Sequence, residues 1–245
     1  MTPTCYMCDE PGTTVEHVPP KCLFPEGKDL ATGVNLRNRL ITVPSCKKHN
    51  TRFSRDDEFL MYVLVINLPA NDTAFHHFQT KILRAMRHNP SLMKRLLANT
   101  HRVYVKRPSD KILVPSLAYD IDTSRFSDAL EKIARGIYFH HFHKRWQGDI
   151  QVRPEFLVSL DQPDSIQTND LTQTIASASD MLFAGSPSYG ANPSVFRYQV
   201  YDLPGAAPLM MRFRFYGEGC VTLIFNKREL PSVLVPPETA GAPSN

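Results

Sequence analysis

Cys5-Tyr-Met-Cys8, Glu16-His17-Val-Pro-Pro20 and Cys46-Lys-Lys-His49-Asn50 follow one another within the first fifty residues of this chain. Two cysteines separated by two residues turn their thiolates toward one cation. Cys46 and His49 add a thiolate and an imidazole, donors suited to a tetrahedral zinc ion. Four protein ligands close such a site and leave no position for a substrate water, so the zinc is expected to be structural. Any chemistry then has to lie in Glu16, His17 and Asn50.

In order and spacing this segment resembles the HNH endonucleases, the ββα-metal or treble-clef nucleases, from about Cys5 to about Glu58. Four elements carry the likeness: the CxxC at Cys5, the acid-His-hydrophobic-x-Pro run from Glu16 to Pro20, the stretch Leu40-Ile-Thr-Val-Pro-Ser-Cys46, and His49-Asn50 opening a helix. The resemblance implies a ββα module with His17 as the general base that deprotonates water. It implies Glu16 and Asn50 as ligands of a catalytic divalent ion, Asn50 standing where many members carry a final His. The family's middle asparagine falls on Asn38 or Asn35, with Arg39 in the commonest position and the register open. The implied activity is metal-dependent hydrolysis of phosphodiester bonds in DNA, RNA remaining open as a substrate, with structural zinc and catalytic magnesium or manganese.

The residue types suit that chemistry independently. A phosphodiester resists cleavage because the nucleophile approaches an anion and the leaving oxygen must accept charge; a hard cation on oxygen ligands addresses both problems. A histidine, with a reference pKa of about 6.5, can take a proton from water near neutral pH. Neighbours on a regular strand point to opposite faces. A bulged or looped segment, favoured by Pro19-Pro20, is therefore expected to bring Glu16 and His17 to one site. Asp56, Asp57 and Glu58 read as a solvated helix face near a helix start, the alternative being that Asp57 or a neighbour holds a metal or orders His17.

An odd total of five cysteines with metal-type spacing argues for reduced thiols. Cys22 is the one rival zinc ligand, and Cys220, in an apolar strand, reads as core packing. With 245 residues and 42% hydrophobic content the chain can bury a sizeable core. No apolar run reaches the length of a membrane span, and Leu60 to Leu68 reads as a buried helix or strand. The metal knuckle begins at position 5 and leaves no room for a signal peptide, so a cytoplasmic location is expected.

The fold class expected is α+β: the zinc module over 1–58, a basic helical segment over 59–111, an α+β accessory region over 112–235 and a flexible tail over 236–245. Asn71 is expected to cap a helix through about Arg87, with another after Asn89-Pro90-Ser91. Arg102 to Lys106 and Lys111 to Leu117 read as strands, Ser124 to about Arg145 as a helix. Val195 to Asp202, Leu209 to Tyr216 and Cys220 to Asn226 read as antiparallel strands with a hairpin at Gly217. Residues 76 to 111 hold nine Lys/Arg against one acid, although the chain as a whole carries only +4. Arg84, Arg87, Lys94, Arg95, Arg102, Lys106 and Arg107 are accordingly the candidate phosphate contacts, the bland alternative being a solvated helix face. His140, His141 and His143 read as surface or core histidines. A second function fits the same motifs: a zinc-stabilised nucleic-acid-binding or interaction module without nuclease activity.

Overall fold

A computed structural model of the chain describes residues 3–51, 54–66, 70–89, 94, 98–106, 112–160, 162–202 and 208–226. After the CxxC turn, strands β1 (Thr14–His17) and β2 (Thr42–Ser45) pair antiparallel, Glu16 opposite Val43 and His17 opposite Thr42. Helix α1 (Lys47–Thr51) starts directly after β2, because the Cys46 carbonyl accepts from both the His49 and Asn50 amides and so folds His49 back over Cys46. This is the ββα order anticipated from the sequence.

Helix α2 (Ser54–Ile66) settles the ambiguity over the Leu60 run in favour of a helix. All six residues from Leu60 to Val65 are buried, so this helix is enclosed on every side rather than amphipathic. Asn71 caps α3 (Asp72–His77) as expected, its side chain accepting from the Ala74 amide at 3.1 Å. The helical path then widens into a π turn over Phe78–Ile82 and resumes as α4 (Leu83–His88). The helix expected beyond Asn89-Pro90-Ser91 lies outside the described residues, Lys94 excepted.

Strands β3 (Thr100–Lys106) and β4 (Leu113–Tyr119) form an antiparallel ribbon. Helix α5 (Thr123–Phe142) is capped by Asp122, whose side chain accepts from the Arg125 amide, and ends at His143 in a left-handed conformation. Then come β5 (Asp149–Pro154), α6 (Ser165–Leu182), β6 (Ser188–Asn192), β7 (Phe196–Tyr201), β8 (Leu209–Phe215) and β9 (Gly219–Asn226). The five strands make one antiparallel sheet in the order β5-β9-β8-β7-β6. The fold class is thus α+β. Strands β3, β4 and β7 to β9 and helix α5 match the sequence reading, whereas β5, α6 and β6 were not anticipated.

One contiguous cluster of buried apolar side chains joins Cys5, Tyr6 and Val18 of the N-terminal module to α2, α5 and the sheet. Helix α5 is the hinge pin of that core: Tyr138 stacks on Phe225 of β9, with centroids 5.6 Å apart. Two residues earlier Gly136 abuts Val18, where a Cβ would come within 2.5 Å of Val18 Cγ1. Among the described residues no helix is long and apolar enough to cross a membrane.

Candidate functional site

The ligand atoms of Cys5, Cys8, Cys46 and His49 all lie within 4.8 Å of one another. Tetrahedral zinc with Zn–S of about 2.3 Å and Zn–N of about 2.0–2.1 Å requires S···S near 3.8 Å and S···N near 3.6 Å. The structure has Cys8 Sγ to Cys46 Sγ at 3.9 Å, and His49 Nδ1 at 3.6, 3.5 and 3.3 Å from Cys5, Cys8 and Cys46 Sγ. Those separations are far from a disulfide bond, and all five cysteines are free thiols. The four residues could hold a zinc ion. Cys22 stands apart from them, its Sγ donating to the Asp57 carbonyl at 3.4 Å and its thiol pushed up to about 12 by burial.

Beside this cluster lies a cavity of about 400 Å³ bordered by Glu16, His17, Asn50, Asp57 and Glu58, with Cys22, Lys21 and Lys81 on its other wall. His17, the last residue of β1, has its imidazole shifted below the ordinary histidine value by burial and by the Lys21 and Arg37 charges, against a smaller upward pull from Glu16. Asn50 donates its side-chain amide to the Val15 carbonyl at 3.3 Å. That bond ties α1 to β1 and leaves Oδ1 as the acceptor available to a cation.

Glu16 sits differently from the expectation of a bulged loop. β1 is regular through His17, so the two residues project to opposite sides, and Glu16 turns inward with 5% of its surface exposed. Its carboxylate accepts from Tyr6 Oη at 3.2 Å and Ser45 Oγ at 3.3 Å, and forms an ion pair with the Lys132 ammonium of α5. Lys132, 4% exposed, also reaches Asp57 at 3.4 Å. Burial outweighs that ammonium at Asp57 and raises its carboxyl above the usual range. The acidic run is thus only partly a solvated face: Glu58 is exposed, but Asp57 pairs with Lys132, and Asp56 pairs with Arg125 of α5 at 2.7 Å. Glu58 stays at the cavity, accepting from Tyr62 Oη at 2.8 Å.

Asn38 and Asn35 are not brought to this cavity. Both are exposed in the turn before β2; Asn35 caps the Arg37 amide at 2.9 Å, and the Asn38 carbonyl accepts from Asn192 at 3.0 Å. Of the basic candidates, Arg84 makes a two-pronged ion pair with Asp29 at 2.8 and 2.9 Å. Arg87, Lys94 and Arg102 are exposed. Arg95, Arg107 and the Lys106 side chain lie outside the described residues. His141 is a packing residue, with Nδ1 3.3 Å from Tyr198 Oη and its ring edge-on to Tyr189. Among the described residues the one metal-type group is the Cys/His cluster, which does not include His140, His141 or His143.

Lys132, Tyr6 and Ser45 were missed from the sequence. Lys132 left a faint trace: although Glu131 stands beside it in sequence, Lys132 is the one charge on the line of the helical face it shares with buried Ala129 and Gly136. Compared with known protein families, with curated proteins and with solved structures, the chain matches none.

Proposed function

We propose that this chain is a metal-dependent endonuclease of the HNH type, hydrolysing phosphodiester bonds in DNA. The observation that carries the reading is that His17 and Asn50 border one cavity, Asn50 following the cluster residue His49 directly in the chain. Zinc there is structural, since its four ligands leave no open position. His17 is the general base; the downward shift of its imidazole favours the neutral form that proton abstraction from water requires. The oxygen donors of Asn50 and Glu16, with Asp57 and Glu58 nearby, suit magnesium or manganese, which would supply charge stabilisation to the leaving oxygen. Exposed Arg87, Lys94 and Arg102 would add phosphate attraction. Its reduced thiols suit the cytoplasm.

The Lys132 ion pair favours the second reading, a zinc-stabilised binding module without nuclease activity, because an internal ammonium already neutralises Glu16. Supercoiled plasmid incubated with the purified protein and Mg²⁺ or Mn²⁺, with and without EDTA, separates the two. Nicking or linearisation that requires the added ion is expected; binding without cleavage at any ion concentration leaves the scaffold reading.

A further inference from the structure

We infer that a second cavity, on the β2 side of His17, is a subsite for an unpaired nucleotide next to the scissile phosphate; this rests on the nuclease reading of the first cavity. The second cavity, about 450 Å³, is bordered by Arg39, Thr42, His140, Tyr189 and Tyr198. Thr42 is the direct cross-strand partner of His17. Directly paired residues of an antiparallel ribbon project from the same face with Cα atoms about 5 Å apart. That is on the order of one to two nucleotide rises, at about 3.4 Å each in a stacked strand.

Two backbone irregularities present the side chains of this cavity. Arg39 holds φ at 52°, the left-handed region that a glycine or asparagine adopts at lower cost, and its exposed guanidinium has no hydrogen-bond or ion-pair partner among the described residues. On the opposite wall, the pairing of β6 with β7 shifts register between Tyr189 and Asn192. Gly190 makes that shift possible: φ is 125° and a Cβ would stand 2.8 Å from the Phe196 carbonyl oxygen. The bulge delivers Tyr189 to the cavity with 39% of its surface exposed, backed by Tyr198 at 5.2 Å and 28° and by the edge of His141. The bond from Asn192 Nδ2 to the Asn38 carbonyl clamps the bulge to the turn that carries Arg39.

A supported aromatic ring and an unpaired guanidinium, with no carboxylate in the lining, match the π face and phosphate of one nucleotide. A paired base keeps its π faces inside the duplex stack and cannot use Tyr189, so the ligand is single-stranded or locally unpaired.

The test uses the full chain with its zinc and His17→Ala, without added divalent ion, so that binding is read apart from cleavage. Fluorescence anisotropy is measured with a labelled 12-nucleotide DNA, an RNA of the same sequence, and the DNA duplex. Tyr189→Ala and Arg39→Gly are each expected to weaken single-strand binding roughly fivefold or more, with duplex binding changed less than twofold. Tyr189→Phe keeps the ring and is expected to bind as the parent does, and Arg39→Gly, which relieves the left-handed backbone, is expected to melt no lower. The DNA and RNA arms show which strand chemistry the subsite takes. Absence of single-strand binding by the parent, unchanged binding by both variants, or equal losses on duplex and single strand would each overturn the subsite. The nuclease reading fails separately: a parent that binds single strands through Tyr189 while the unsubstituted protein cleaves no nucleic acid keeps the subsite and loses the nuclease.

Discussion

Replacing Lys132 with methionine removes the one cation shared by Glu16 and Asp57 while keeping most of the aliphatic bulk that α5 packs into the core. Glu16 would then be an ion with 5% exposure, held only by the Tyr6 and Ser45 hydroxyls. Breaking a buried pair from one side costs roughly 3–5 kcal/mol. The lower end applies here, because those two hydroxyls remain and the Asp57 side chain is 25% exposed. A loss of about 3 kcal/mol corresponds to a melting temperature lower by roughly 6–12 °C in a chain of this size. Urea unfolding followed by circular dichroism, on zinc-replete protein, measures it. The double variant Glu16→Gln, Lys132→Met removes both charges and is expected to recover most of the loss, giving a coupling of at least about 1.5 kcal/mol in the mutant cycle. Lys132→Met melting within about 1 °C of the parent, or additive single losses, would refute the buried pair as the element that holds Glu16.

Cys46→Ser is expected to lose the zinc, read by elemental analysis, together with the cooperative melting of the N-terminal module, which has little core of its own. His17→Ala should fold and keep zinc while plasmid cleavage drops by roughly two to four orders of magnitude; Asn50→Ala should be partly rescued by more Mg²⁺ or by Mn²⁺, a rescue no longer clean at Glu16, whose removal also strands Lys132. His77 is fully buried with Nε2 unpartnered, and burial lowers its imidazole to about 4. Because the unfolded chain takes up that proton near pH 6.5 and the folded chain only near 4, stability present above pH 6.5 is lost as pH falls, by about 3 kcal/mol in all; His77→Phe should flatten that limb, and an unchanged slope between pH 6.5 and 4 would remove His77 as its source. Gly136→Ala drives a Cβ against the stiff Val18 side chain and is expected to cost roughly 1–3 kcal/mol, with a fall in cleavage larger than the fall in DNA binding, since Val18 follows His17.

What could be read from the sequence was whatever local chemistry determines. The Cys/His cluster that could hold zinc was legible because each pair is three residues apart and carries its own turn, so the spacing survives folding unchanged. The start of α3 was marked by Asn71, whose side chain satisfies the orphan Ala74 amide three residues on, whereas the Asp122 cap of α5 was not read from the sequence. Helix α6 was missed because Ser, Thr, Asn and Asp, which also cap and turn, crowd Ser165 to Leu182, and just one of its residues, Ser179, is buried. Glu16 borders the cavity, but its partner was not legible: the local motif carries nothing about an ammonium that arrives from α5. The same holds for Asn38, whose contribution in the structure is a backbone carbonyl, a group every residue has.

The arrangement around β1 explains why an accessory region follows the metal module at all. Lys132 and Gly136 are four apart and so lie on one face of α5, one turn from each other. The first holds Glu16 and the second receives Val18, the two residues that flank His17. A four-residue strand paired on one side only would leave its last residue free to fray. Docking α5 on both neighbours fixes the backbone of His17 from the core side, while its imidazole stays on the cavity side. The sheet in turn orients α5, through Tyr138 against Phe225. Positioning of the imidazole therefore depends on residues more than a hundred positions downstream of it, and on the proposed nuclease reading substitutions in the α5 face should change cleavage without touching the Cys/His cluster.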